Sequence, residues 1–352
     1  MTRRRRDLDE DDVRVRPGRG KSRPRSKERP AYDDAQEGFV VGVDRGRFSV
    51  LLGDPRADTD PDASPTLVTA VKARELGRKG VVVGDRVRVV GDVSGDTDAL
   101  ARLVRVDDRV TVLRRTADDT DPVERVVVAN ADQLAIVTAL ADPEPRPRLI
   151  DRTLVAAYDA GLRPLLVLTK SDLADPEPML EAYRGLDVDT VVLGRGADIG
   201  PLRDRLHDRV TVLVGHSGVG KSTLVNALVP GADRSTGRVN AVTGRGRHTS
   251  TSAVALPLPG GGWIVDTPGI RSFGLAHVDP DRVIHAFPEL GAGTDGCPRA
   301  CTHDEPDCAL DAWVAEGHAG PGGPARLESL RRVLRSLGSG PEAGPESGAT
   351  QA

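Results

Sequence analysis

Apolar positions along this chain fall into two regimes. From Glu37 to Leu113 they come as short alternating or β-branched runs, Phe39–Val43, Arg47–Leu52, Thr66–Val71, Val81–Val90 and Ala101–Val106, separated by Gly, Asp and Pro. Period-two runs with turn chemistry between them predict five strands, and five strands in so short a stretch predict a small all-β barrel. An oligonucleotide-binding (OB) fold is one such barrel, although strand count alone does not single it out. The aromatics that would stack bases are scarce there (Tyr32, Phe39, Phe48). Contact through phosphate or shape is therefore favoured over base stacking.

From Arg114 to His277 the rhythm changes. Apolar runs Val126–Val128, Leu134–Val137, Pro164–Leu168, Thr190–Leu193, Val210–Val214 and Trp263–Val265 alternate with helix-like stretches at Leu149–Ala160, Met179–Tyr183, Pro201–Leu206 and Ser222–Leu228. Buried-strand runs spaced by helices predict a mostly parallel α/β sheet. Residues 278–337 hold a cysteine window and then a basic helical pattern, Ala325–Leu337. That pattern gathers Leu327, Leu330, Val333, Leu334 and Leu337 on one face, the mark of an ordinary packed surface helix. Residues 1–36, charged and poor in large apolar side chains, read as a disordered basic arm, and 338–352 as a low-complexity disordered tail.

Composition narrows the function classes. The 352 residues carry 49 basic and 53 acidic side chains, net −4, so affinity for nucleic acid has to come from local patches. No apolar run approaches the ~20 residues that span a bilayer, and the Arg-rich start lacks a signal peptide's apolar core. Membrane and secretory roles are not expected.

Three motifs carry chemistry. The run RVTVLV leads into Gly215-His216-Ser217-Gly218-Val219-Gly220-Lys221-Ser222-Thr223, a G-x-x-x-x-G-K-[ST] phosphate loop followed by a helical segment. Glycines let backbone N–H groups wrap phosphate, the helix N-terminus adds partial positive charge, Lys221 can reach the β- and γ-phosphates, and Ser222 can ligate Mg²⁺. The second is Trp263-Ile264-Val265-Asp266-Thr267-Pro268-Gly269. Its strand-end carboxylate, Asp266, would hold Mg²⁺, and Gly269 would offer an N–H to the γ-phosphate. The third is Thr169-Lys170-Ser171-Asp172, again after an apolar run. Asp172 can accept from the N1–H and exocyclic amine of guanine, which adenine cannot supply, and the Lys170 stem can lie along the base. Two of only six lysines in this Arg-dominated chain sit in the phosphate loop and in this motif. A compact ammonium is evidently wanted at both.

All three cysteines lie in Cys297-x₃-Cys301-x-His303-x₄-Cys308. Three thiolates and one imidazole are the donor set of a closed tetrahedral Zn²⁺ site, which implies a structural rather than catalytic metal. A redox thiol cluster is the alternative. His318 is a more distant substitute ligand.

The nucleotide motifs resemble those of translation-factor-class GTPases, in a permuted order: TKSD precedes the phosphate loop, and a Thr-rich stretch and DTPG follow it. Joining the old ends and opening a new loop leaves such a sheet intact, so a circularly permuted GTPase is predicted. Barrel, permuted GTPase and C-terminal Cys/His cluster together resemble the ribosome small-subunit-dependent GTPase A family (RsgA, also called YjeQ). The runs that carry the resemblance are VLRR, ANADQLAIV, LIDRTLVAAYDAGLRPLLVLTKSDL, GHSGVGKSTLVNAL, GRHTSTSA and DTPGIRSFGL, with the cysteine window.

The resemblance implies an OB-fold barrel (37–113) contacting 16S rRNA, a permuted P-loop GTPase domain (114–277) and a zinc-binding helical module (278–337). It implies a late role in 30S maturation in the cytoplasm, with GTP hydrolysis to GDP stimulated by the 30S particle, and a monomer is expected. A permuted GTPase for the large subunit, or an RNA-binding placeholder with incidental hydrolysis, are the alternatives. Ile270 stands where many GTPases place the water-orienting Gln, and the resemblance supports His248 as the catalytic substitute, with Thr249 or Thr251 as the switch hydroxyl on Mg²⁺. Departures from the family pattern are Thr169 for the usual Asn, Ser250 for Thr, and cysteine gaps one residue shorter at two places. Thr169 is expected to lose one amide contact near the base. LGRGADIG after Val192 lacks the Ser-Ala signature of the guanine edge, and no residue is assigned there.

Overall fold

The computed structural model describes residues 32–55, 66–77, 80–96, 98–116, 123–186, 188–230, 253–267, 275, 278 and 283–338. The expected arm and tail fall almost entirely outside these residues.

Strands β1 (Gln36–Asp44), β2 (Arg47–Leu52), β3 (Leu67–Lys72), β4 (Arg86–Gly91) and β5 (Ala101–Val106) follow the five predicted runs. They close on themselves in the order β1-β2-β3-β5-β4-β1, with β3 and β5 parallel and the other neighbours antiparallel. That is an OB-like five-stranded barrel. Its interior is filled by alternate residues such as Val40, Phe48, Val50, Val68, Val87 and Leu103, all buried. Closure forces tight packing at Gly38, where a Cβ would lie 2.4 Å from Val50 Cγ1.

The run predicted as strand over Val81–Val90 is shorter than expected. Only its second half is β4. Residues 81–85 turn at Gly84 (φ +91°), because the buried Asp85 carboxylate accepts from Val82 N and from the Arg109 guanidinium at 2.7 and 2.9 Å.

Strand β6 (Val112–Arg115) pairs with β7 (Arg125–Ala129) as a separate two-stranded sheet, so a strand straddles residue 113 and Val126–Val128 is not part of the parallel sheet. Asn130, in the left-handed region, stitches this pair to the barrel: its side chain accepts from Val110 N and donates to Gly84 O.

The parallel sheet consists of β10 (Asp189–Leu193), β9 (Arg163–Thr169), β8 (Gln133–Ala139), β11 (Val210–Val214) and β13 (Trp263–Asp266), in that order. Every residue of β8 is buried: Leu134 and Ile136 face one layer, Ala135, Val137 and Ala139 the other. Two-sided burial explains why its sequence is a continuous apolar run. Helices α3 (Gly200–Leu206) and α4 (Lys221–Leu228) cover one face, while α1 (Pro147–Asp159) and the C-terminal α7 (Gly323–Gly338) build the core on the other. The short α2 (Glu177–Tyr183), α5 (Pro288–Gly291) and α6 (Ala309–Ala315) complete the described helices.

Strand β12 (Val254–Pro257) was not anticipated. It runs antiparallel to β13 and also meets β1 at Gly42↔Val254, so barrel and α/β sheet form one continuous eleven-stranded sheet. A bulge between Val40 and Gly42 bends β1 enough to serve both. Phe39 packs on Trp263 with centroids 5.7 Å apart, and the Trp263 indole donates to Pro55 O at 3.0 Å. An aromatic pair of this kind adds about 1 kcal/mol beyond the area it buries. Among the described residues no helix is long and apolar enough to cross a membrane.

Candidate nucleotide-binding site and metal centre

Because β9, β11 and β13 are parallel, the loops after them open on the same edge of the sheet, where α/β proteins bind ligands. The three loops are those of TKSD, the phosphate loop and DTPG. Gly215 leaves β11 so close to β8 that a Cβ would lie 2.4 Å from Val137 O. Gly218 (φ +85°) and Gly220 (φ +92°) take left-handed turns, and Gly220 caps α4, whose first residue is Lys221. Val219 is fully buried and anchors the loop from below, while Ser222 and Thr223 stand exposed on the first helical turn. Lys221 Nζ donates to Asp266 Oδ1 at 2.7 Å, so the sheet delivers the phosphate-loop cation and the strand-end carboxylate to one point. Thr267 ties that strand end to β11 by donating to Leu213 O at 2.8 Å.

The TKSD loop is joined to the phosphate loop directly. Thr169, 8% exposed, donates through Oγ1 to Val219 O at 2.6 Å and lies 3.2 Å from Thr138 O. Its hydroxyl therefore makes a contact of its own to the neighbouring loop. Lys170 (φ +60°) donates to Asp142 O, and Pro143 of the same β8–α1 loop borders Gly218. Ser171 N donates to Leu193 O at 3.2 Å. Asp172 Oδ1 accepts from Arg195 N at 2.8 Å, which leaves Oδ2 available at an exposed edge.

The turn Gly194–Ala197 thus packs against the TKSD loop. No motif marked it. The usable signal was its place after β10, the strand paired with β9. Gly194 is required there, since a Cβ would sit 2.9 Å from Ser171 Oγ. Gly269, His248, Thr249 and Thr251 lie outside the described residues.

In the C-terminal module the ligand atoms of Cys297, Cys301, His303 and Cys308 all lie within 4.8 Å of one another. Metal bonds of ~2.3 Å to sulfur and ~2.0 Å to nitrogen in a tetrahedron require about 3.8 Å between thiolates and about 3.6 Å from thiolate to imidazole. The structure has 3.9 Å for Cys297–Cys308 and 3.6 and 3.8 Å from those sulfurs to His303 Nδ1. Cys301 Sγ accepts the His303 backbone N–H at 3.3 Å, which favours thiolate. Burial, with the neighbouring Glu305 carboxylate and Cys308 thiol, pushes the Cys301 thiol up to about 12. Ala300 (φ +59°) and His303 (φ +67°) are left-handed although neither is glycine, a cost of roughly 1–2 kcal/mol each that a metal bond would offset. The residues fit a divalent cation of zinc's size and softness. His318 is elsewhere, stacked on Trp313 at 4.4 Å.

Helix α7 fastens this module to the GTPase-like sheet. Arg331 donates to His303 O at 2.7 Å and clamps Asp311, and Arg335 clamps Asp304 at 2.9 and 2.7 Å. On its other side Arg332 lies 4.6 Å over the Tyr183 ring and pairs with the buried Asp151 of α1 at 3.3 Å, while Arg152 donates to Ser336 O. The arginines of this helix are thus used for docking.

A P-loop sheet in which the TKSD loop follows a strand upstream of the phosphate loop has the motif order of circularly permuted GTPases. Residues 106–276 match the RsgA GTPase family model. A small ribosomal subunit biogenesis GTPase RsgA of Ectopseudomonas mendocina is 45% identical over 221 residues, 60% of this chain and 63% of that protein, so the match spans less than two thirds of the relative's length. The crystal structure of YjeQ from Thermotoga maritima superposes with a TM-score of 0.58 at 27% identity, covering 86% of this chain and 98% of that one. YloQ, described as a circularly permuted GTPase, matches in fold with a TM-score of 0.59 at 21% identity over 88% and 98% of the two chains.

Proposed function

We propose that this chain hydrolyses GTP as a late maturation factor of the small ribosomal subunit, bound to 30S particles through 16S rRNA and working as a cytoplasmic monomer. The observation that carries the nucleotide reading is the convergence of Lys221, Asp266 and Asp172 on one sheet edge, in a stretch that matches the RsgA GTPase family model. The subunit reading rests on the name borne by its relatives. The phosphate loop, 215–223, would hold the phosphates, with Gly269 adding an N–H at the γ-phosphate. Residues 169–172 would hold guanine. Ser222, Asp266 and Thr249 or Thr251 would hold Mg²⁺, which supplies charge neutralisation at the phosphates. Cys297, Cys301, His303 and Cys308 would hold one structural zinc. Boundaries near 36, 113, 277 and 337 remain our reading of the parts.

GTP turnover measured with and without purified 30S and 50S particles tests this function. Stimulation by 30S alone is expected; stimulation by 50S, or none, overturns it. Asp172→Asn should lower GTP affinity on the order of 10³-fold and admit xanthine nucleotides, whose C2 carbonyl accepts from the new amide where the guanine amine donated to the carboxylate. Competition binding with GTP and XTP checks it. His248→Ala should cut 30S-stimulated kcat by roughly 10²-fold with nucleotide affinity nearly unchanged, the scale of a positioned catalytic group. Equal turnover would remove His248 from the mechanism.

A further inference from the structure

The second residue of the phosphate loop has a side-chain arrangement that the loop motif does not require. His216 Nδ1 lies 2.9 Å from the carbonyl oxygen of Ser217. A carbonyl only accepts, so Nδ1 carries the proton, and in the neutral ring Nε2 is then the acceptor. Nε2 is buried without a hydrogen-bond partner, and the ring lines a pocket between the phosphate loop and the first turns of α1, beside Arg146, Leu149, Ile150 and Thr153. The Thr153 hydroxyl is committed to Leu149 O, and the charged group facing the ring is Arg146. Burial, with a smaller contribution from Arg146, holds the imidazole below its ordinary pKa and keeps it neutral.

We propose that His216 is a positioning residue: its Nδ1–H pins the Ser217–Gly218 peptide and so aims the Gly218 N–H into the phosphate cradle. In a trans peptide, C=O and N–H point in opposite directions. A carbonyl held against the imidazole therefore turns the N–H of the next residue away from it. The peptide needs a pin because it precedes a glycine. Gly218 sits at φ +85°, and glycine occupies either sign of φ at little cost, so nothing in the backbone itself prevents the peptide from flipping. A flipped peptide would present a carbonyl to anionic phosphate. Pro143, 3.4 Å from where a Gly218 Cβ would stand, borders the loop on its other side but offers no donor to hold the carbonyl.

This inference rests on the proposed nucleotide site. Its test uses full-length protein and three substitutions. Asn carries an N–H near the position of Nδ1, Gln carries one near Nε2, and Ala carries none. His216→Ala and His216→Gln are expected to weaken GTP and GDP binding about tenfold, the worth of one hydrogen bond, with GMP affinity little changed because its single phosphate lies short of the loop's centre. His216→Asn should recover most of the loss. Gln performing as well as Asn, or a loss equal for GMP and GTP, would overturn the positioning role. If the wild-type chain bound no guanine nucleotide, the site reading itself would fail first, and the two failures are told apart by that control.

Discussion

Lys221→Ala should lower GTP turnover about 10³-fold and weaken GTP binding with it. The ammonium is the one cation that the structure aims at the phosphate position from within the loop, at the first residue of α4 and only 17% exposed. Removing a single preorganised group that faces developing charge costs roughly 3–4 kcal/mol in comparable sites. The substitution also leaves Asp266 without its 2.7 Å partner. That adds little to the fold, since the carboxylate is 32% exposed and water can replace the ammonium. Turnover and nucleotide titration should therefore fall together while the melting temperature barely moves. Lys221→Arg should not restore activity, because a planar guanidinium does not fit where a compact ammonium sits between loop and carboxylate. Near-normal hydrolysis by the alanine variant would remove the phosphate loop from the chemistry.

Cys308→Ser is expected to have the largest effect on the C-terminal module. Cys308 is 4% exposed, precedes α6 directly, and places its sulfur within 3.9 Å of Cys297 and 3.8 Å of His303. Structural zinc sites contribute on the order of 10 kcal/mol to the state that binds the metal. The variant should carry well under half an equivalent of zinc by metal analysis. It should also be cut by protease between α5 and α7 under conditions where wild type is not. The same sensitivity should follow chelation of wild-type protein. Guanine nucleotide binding should survive, because the phosphate and purine loops hang from the parallel sheet rather than from the cysteine window. Full protection without metal would sink the structural role.

How much of this was readable from residues alone depends on how local each signal is. A phosphate loop is contiguous: its glycines, lysine and strand–helix boundary are neighbours in sequence, and the structure places them as read. The five barrel runs and the buried strands were visible for the same reason, since alternation and continuous apolarity report burial one residue at a time. Thr169 shows where that logic stops. As a residue type it reads as a lost amide; its hydroxyl turns out to bond Val219 O, fifty positions along, a partner that only the parallel pairing of β8 with β9 and β11 brings near. Arg195 is similar, because a backbone N–H has no sequence signature at all.

Taken by itself, the order of amino acids determined the parts: barrel strands, a permuted set of nucleotide-loop motifs, and three thiol and one imidazole metal donors in one short window. Tertiary structure decided how the parts are joined. It runs barrel and α/β sheet together at Gly42↔Val254, seats α7 on α1 through Arg332 and Asp151, and turns the Asp172 carboxylate toward Arg195 N. The reason is physical. Propensity and periodicity are set by near neighbours, whereas these junctions are bonds between residues far apart in sequence, formed only once the chain has folded to bring them together.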